Sequence, residues 1–143
     1  MRYLLLIVAY TILHGALAVQ LLHIYNNCSE IVNVCGSPFG SVVNTHITMV
    51  EAGQSYIYEL VHNSTNFTNG ERGLTTAFFV LKLEIPSSDD AYVINVVTGF
   101  DTGMQATSTN GDEVITCRSA DCFSITKLYS VPAGGDFSLT YCP

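Results

Sequence analysis

From Val19 onward the chain alternates apolar and polar side chains in short runs, and nowhere places apolar residues in a helical stripe. Val19 to Tyr25 reads as a first strand, and Tyr56, Tyr58 and Leu60 alternate with Ile57 and Glu59 in a later one. Within Thr76 to Glu84, Phe79, Leu81 and Leu83 fall on one face and Phe78, Val80, Lys82 and Glu84 on the other. Tyr92 to Val97 is β-branched enough to be buried on both faces, and at the end Phe137, Leu139 and Tyr141 point one way while Ser138, Thr140 and Cys142 point the other. Between these runs stand Glu51 to Gln54, Asn69-Gly70, Pro86 to Asp90, Asn110 to Asp112 and Pro132 to Gly135, each carrying Gly, Asn, Asp or Pro for a bend. Many short strands at this spacing predict an all-β protein, a β-sandwich.

The first residues follow another plan. Arg2 precedes an apolar run from Leu4 to Leu13, which ends in Ala16-Leu17-Ala18, the three-part pattern of a secretory signal peptide. That run is too short to cross a hydrocarbon layer of ~30 Å as a helix, and no second one follows. The expected organisation is a signal peptide over residues 1–18 and a single sandwich domain over 19–143, with a secreted, extracellular location. A buried first helix is the plainer alternative for the same run.

All five cysteines, Cys28, Cys35, Cys117, Cys122 and Cys142, lie in the expected mature part, which suits an oxidising compartment and a disulfide-stabilised fold. The odd number leaves one thiol free or bonded to another molecule. Three glycosylation sequons, at Asn27, Asn63 and Asn66, point to the same compartment. Asn63 and Asn66 lie in a polar stretch expected to form an exposed turn, whereas Cys28 at the centre of the first sequon competes by forming a disulfide. Without Arg2, the basic side chains are Arg72, Lys82, Arg118 and Lys127, against twelve acidic ones. Such a surface repels phosphates and anionic lipid, so neither nucleic acid nor membrane is an expected partner.

The order of several segments resembles the thaumatin-like proteins. The opening Ile24 to Val32 (IYNNCSEIV) is similar to the family's first strand, and Thr45 to Leu60 to its strand, Gly-containing turn and aromatic-initiated strand. Ala91 to Met104 resembles a tyrosine-begun strand reaching a Gly-Phe turn, the Cys117–Cys122 segment stands where the family places two cysteines four residues apart, and Val131 to Pro143 is similar to its closing strand. The large cysteine-rich insertion of full-length members is missing. The chain thus resembles a reduced, single-domain form, nearest to the small fungal secreted Blastomyces yeast-phase-specific family.

That resemblance implies a thaumatin-like sandwich in which Cys28 pairs with Cys142. The family's partners for Cys117 and Cys122 are lost, one position being held by Val131; a bond between the two leaves Cys35 as the odd thiol, and a bond from Cys35 to either of them is the competing arrangement. Antifungal members share an acidic cleft linked to β-glucan binding and weak hydrolysis. The positions matching its glutamate and two aspartates are Phe78, Val93 and Thr98, and Asp101 takes a place usually filled by asparagine. Glucanase activity therefore does not carry over.

Other chemistry fares no better. Glycoside hydrolysis needs two carboxylates about 5 to 9.5 Å apart across a bond. The pairs Asp89-Asp90 and Asp112-Glu113 lie in expected turns and read as solvated loop residues. His23, His46 and His62 lack the spacing of zinc ligands, the Cys117–Cys122 segment has four intervening residues rather than the two of a redox motif, and Cys35 has no companions for nucleophilic catalysis. No catalytic residue, metal or cofactor is expected. The function expected is that of an extracellular binding or interaction protein with cell-wall polysaccharide such as β-glucan, or a host extracellular protein, as partner. A weak glucan-acting enzyme or antifungal, defence-type protein is the alternative, and a structural or stress-induced surface protein the second.

Overall fold

The computed structural model describes residues 19–38, 45–60, 64–70, 78–83, 89–96, 100–122 and 128–143. Within these residues, eleven strands form two sheets. They are β1 (Leu21–Asn26), β2 (Val32–Pro38), β3 (Thr45–Val50), β4 (Ser55–Glu59), β5 (Ser64–Asn69), β6 (Phe78–Lys82), β7 (Asp89–Asn95), β8 (Met104–Ser108), β9 (Ile115–Cys117), β10 (Tyr129–Pro132) and β11 (Phe137–Tyr141). A five-stranded sheet runs in the order β4-β1-β11-β8-β9 and a six-stranded sheet in the order β10-β7-β6-β5-β2-β3. The first and last strands lie side by side and parallel, with Leu22 opposite Phe137 and Asn26 opposite Tyr141; β1 pairs with β4 and β11 with β8 antiparallel.

The period-two pattern builds the core directly. Leu22 and Ile24 of β1, Phe79 and Leu81 of β6, Met104 and Ala106 of β8, and Phe137, Leu139 and Tyr141 of β11 all point between the sheets and are buried. Burying each large side chain there is worth roughly 1.5–3 kcal/mol. A file of rings crosses the interior, with Tyr58–Phe67, Phe67–Phe79, Phe79–Tyr92 and Tyr92–Phe137 centroids 5.6, 6.1, 6.4 and 5.7 Å apart. Burial, then Glu113 and Tyr129, raise the Tyr92 phenol, which donates to the Glu113 carbonyl at 2.8 Å.

The six-stranded sheet is buried on its other face too. Register places Cys35 beside Thr68 and Ser37 beside Asn66, which in turn faces Val80, and all five are buried. This changes the expectation for Asn66. Instead of an exposed turn, Ser64–Asn69 forms β5, and Asn66 is only 5% exposed with an Oδ1 that finds no hydrogen-bond partner. In the folded chain its side chain is buried and its Oδ1 does not reach solvent. Asn63 and His62 lie outside the described residues.

Asp89 and Asp90 are likewise strand residues rather than a solvated turn, because β7 begins at Asp89 and pairs with β10. Asp90 is 1% exposed, and its Oδ2 accepts from Gln20 Nε2 at 2.7 Å and from the Gly134 N–H at 3.1 Å. Donors from both ends of the chain make burial of this carboxylate affordable, since a buried acid needs compensating hydrogen bonds. Gly134 meets it in a left-handed turn, at φ 90°. Nearby, Asp136 accepts the Leu21 N–H at 2.9 Å, which ties the start of β1 to the start of β11.

The opposite end of β1 is held by Asn26. Its buried Nδ2 donates to the Val50 carbonyl at 2.7 Å and the Glu30 carbonyl at 2.8 Å, and its Oδ1 accepts the Cys28 N–H at 2.8 Å. Its backbone N–H donates to Gln54 O at 3.0 Å and its carbonyl accepts from Gly53 at 2.8 Å. One side chain thereby joins the five-stranded sheet to the end of β3 in the other, and both backbone groups hold the turn from β3 to β4. Two residues on, Cys28 is bonded to Cys142 across 114 residues of chain, Cys117 is bonded to Cys122, and Cys35 is a buried free thiol.

Two outcomes are expected in urea unfolding. Asn26→Ala strands the buried Val50 carbonyl, the part-buried Glu30 carbonyl and the Cys28 N–H, so it costs roughly 3 to 5 kcal/mol. Replacing both Cys28 and Cys142 by serine costs about 4.7 kcal/mol and replacing both Cys117 and Cys122 about 2 kcal/mol, rising with the logarithm of the loop each bond closes; equal losses from the two pairs would contradict that account.

Candidate functional site

Strands β3 and β4 follow one another in sequence but belong to different sheets, and each lies at an edge of its own. Between them the sandwich opens into a cleft of about 360 Å³ lined by Gly36, Ser37, Pro38, Thr45, His46, Ile47, Tyr56, Tyr58 and Thr65. Tyr56 and Tyr58 enter it because they lie opposite Ile24 and Leu22 on the inward face of the five-stranded sheet. Tyr58 packs edge-on against Phe67 and forms the inner wall, whereas the more exposed Tyr56 forms the lip. Burial, then neighbouring Tyr56, raise the Tyr58 phenol above its ordinary value, which keeps it a neutral donor.

The far wall depends on an irregularity. The β2–β3 register shifts between Val34 and Cys35, so that Thr48 and His46 have partners and Ile47 between them has none. A bulge of this kind re-aims a side chain, and Ile47 turns towards Gly36. A Cβ at Gly36 would come within 2.7 Å of Ile47 Cδ1, so a side chain there would make the end of the isoleucine shift. His46 is held by Asn33, Nδ1 to Oδ1 at 2.7 Å. Among the described residues, no carboxylate lines the cleft.

A second, shallower hollow of about 470 Å³ surrounds the Cys28–Cys142 bond and includes Glu30, Asn69, Asp101 and Thr102. Asn69 Nδ2 donates to Thr102 Oγ1 at 3.0 Å across it. Beneath lies Tyr141, fully buried, whose phenol is driven strongly upward by burial, then by Asp101 and Cys35, and so stays protonated.

The residues singled out from sequence are scattered. Phe78 stands opposite Asn95, and Val93, half-buried, stands opposite Val80, so the face where the resemblance would put an acidic cleft carries valines; Thr98 lies outside the described residues. Asp112 and Glu113 are exposed in the link from β8 to β9. His23 lies on the outward face of β1, 3.8 Å from Asp136. Asn27 is exposed beside the Cys28 bridge. Among the described residues, no group of three or more His, Cys, Asp or Glu could hold a metal ion. The cleft was missed because its walls come from four strands in two sheets; the tyrosines of Ser55–Glu59 were its one visible sign.

No protein-family model matches the chain, and no curated protein matches it either. Solved structures do. The thaumatin-like xylanase inhibitor TLXI superposes with a TM-score of 0.71 at 16% identity, covering 85% of this chain and 99% of that one. The protein elicitor MoHrip2 from Magnaporthe oryzae gives a TM-score of 0.70 at 18% identity, covering 87% of this chain and 99% of that one. The likeness is one of fold, and the architecture described above is a disulfide-stabilised, thaumatin-like β-sandwich.

Proposed function

We propose that this is a secreted, non-catalytic binding protein that contacts neutral cell-wall polysaccharide through the cleft between β3 and β4. The observation that carries the reading is the character of that cleft: two tyrosines, threonines and a histidine, with no carboxylate among the described lining residues, in a chain whose acids outnumber its bases. Tyrosine faces stack on the apolar faces of sugar rings while hydroxyl and imidazole groups meet their hydroxyls. Hydrolysis would need a pair of acids flanking the bond, and Asp90, the most buried acid described, is held by structural donors. Secretion after cleavage at Ala18 suits the two disulfides, and the reduced, single-domain sandwich suits the small fungal secreted group that the sequence resembles.

A second reading is favoured by the likeness to a xylanase inhibitor: the partner is a polysaccharide-acting protein rather than the polysaccharide. Both readings meet in one experiment. The secreted protein is mixed with insoluble β-glucan, chitin and cell-wall fractions, with release of reducing sugar followed in parallel, and separately with a xylanase whose activity is monitored. The expected result is retention on one polysaccharide without sugar release, weakened about tenfold, or ~1.4 kcal/mol, by Tyr56→Ala. Sugar release, or retention indifferent to that change, would overturn the proposal; inhibition of the xylanase without retention would establish the second reading.

A further inference from the structure

Each sheet of an open sandwich has two edges whose unpaired N–H and C=O groups can capture another strand, and natural proteins blunt such edges. Among the described strands, three of the four edges are blunted. β3 carries the bulge at Ile47, β10 ends in Pro132, and β9 is only three residues long and tied at its end by the Cys117–Cys122 bond. The fourth, β4, is Ser-Tyr-Ile-Tyr-Glu, with a regular register against β1 from Leu21–Glu59 to Tyr25–Ser55. It has no proline, lysine or bulge. It is also where exposed apolar side chains gather: Ile57 is 55% exposed, Tyr56 39%, and Tyr25, diagonal to Ile57 on the outward face, 40%.

We infer that β4 is a docking edge for a second copy of this chain, pairing antiparallel with its own equivalent about Ile57. The strand is self-complementary in that register. Ile57 lies opposite Ile57 of the second copy, Tyr56 opposite Tyr58, and Ser55 opposite Glu59, so the only charge on the strand meets a hydroxyl and not its own kind. A two-fold interface of this sort is closed, and an edge used once ceases to be an aggregation site. Cross-strand aromatic and β-branched pairs are the favourable unit of sheet pairing, and both occur here. The two five-stranded sheets become one continuous sheet. Because Tyr56 and Tyr58 also line the cleft, pairing sets the two clefts mouth to mouth across the new strand pair, with Tyr58 of the second copy beside the Tyr56 lip. Two linked clefts would grip a repeating polymer by avidity. The pairing itself requires no ligand and stands or falls apart from the proposed function.

A single five-residue strand pair is a small contact, so association is weak and concentration-dependent. Sedimentation of the secreted protein alone, over a wide range of concentration, tests it. The weight-average mass should climb from the monomer towards twice that value. Ile57→Lys, a charge on an exposed edge position, should weaken association at least about tenfold. Val114→Lys makes the same apolar-to-charged change at an exposed site outside the strands and should leave association as in the parent chain. Circular dichroism and thermal unfolding of each variant report whether the fold is retained. A parent chain that stays monomeric at all concentrations, or a folded Ile57→Lys chain that dimerises as readily as the parent, would overturn the inference.

Discussion

The buried side-chain amide of Asn26 is the interaction on which the rest of the sandwich depends. Two sheets with no helix among the described residues to brace them must be kept from sliding, and apolar packing between them is non-directional. Asn26 supplies direction, because its amide closes hydrogen bonds to carbonyls at Glu30 and Val50 and receives the Cys28 N–H. Asn26 ends β1 in the five-stranded sheet, Cys28 and Glu30 lie on the loop that follows, and Val50 ends β3 in the six-stranded sheet. Every polar group of the residue is used, which is the condition under which a buried amide specifies structure instead of weakening it.

The disulfide beside it extends the same junction. β1 and β11 lie parallel, so their C-terminal ends meet, and the bond from Cys28 to Cys142 forms where Asn26 faces Tyr141. At the other end of the same strands, Asp136 and Asp90 take up N–H groups of Leu21 and Gly134 and the amide of Gln20. The first and last strands are thus pinned at both ends, by a covalent bond and an amide at one and by two carboxylates at the other. With this pair fixed, β4 and β8 add outward, and β4 becomes an edge.

Functional character follows from where that edge falls. The turn through Gly53 carries the chain from the six-stranded sheet to the five-stranded one, so consecutive strands diverge and leave the cleft between them. Its inner wall is continuous with the core through the edge-on Tyr58–Phe67 contact, which holds the tyrosine in a set orientation. A preorganised wall of this kind lowers the ordering cost of binding. The described acids are elsewhere, as structural acceptors or on strand ends and loops.

Sequence alone determined the fold class and much of the core. The alternation in Phe79, Leu81 and Leu83, and in Phe137, Leu139 and Tyr141, is a local property of an extended chain, so it shows which face of a strand is apolar whatever its neighbours are. What lay beyond local reading was decided by partners far away in the chain. Pro86 to Asp90 has the composition of a turn, yet Asp90 enters a strand because Gln20 and Gly134, 70 and 44 residues distant, bring donors to it. Asn66 has the polar surroundings of a loop, yet β2 and β6 close over both sides of its strand. Nor does any pattern within Thr45 to Leu60 say that its two strands separate into different sheets; that is settled by the amide of Asn26 and by β11 occupying the place beside β1. Alternation is written residue by residue, whereas the assignment of strands to sheets, and with it the cleft and its free edge, is a property of closure over the whole chain.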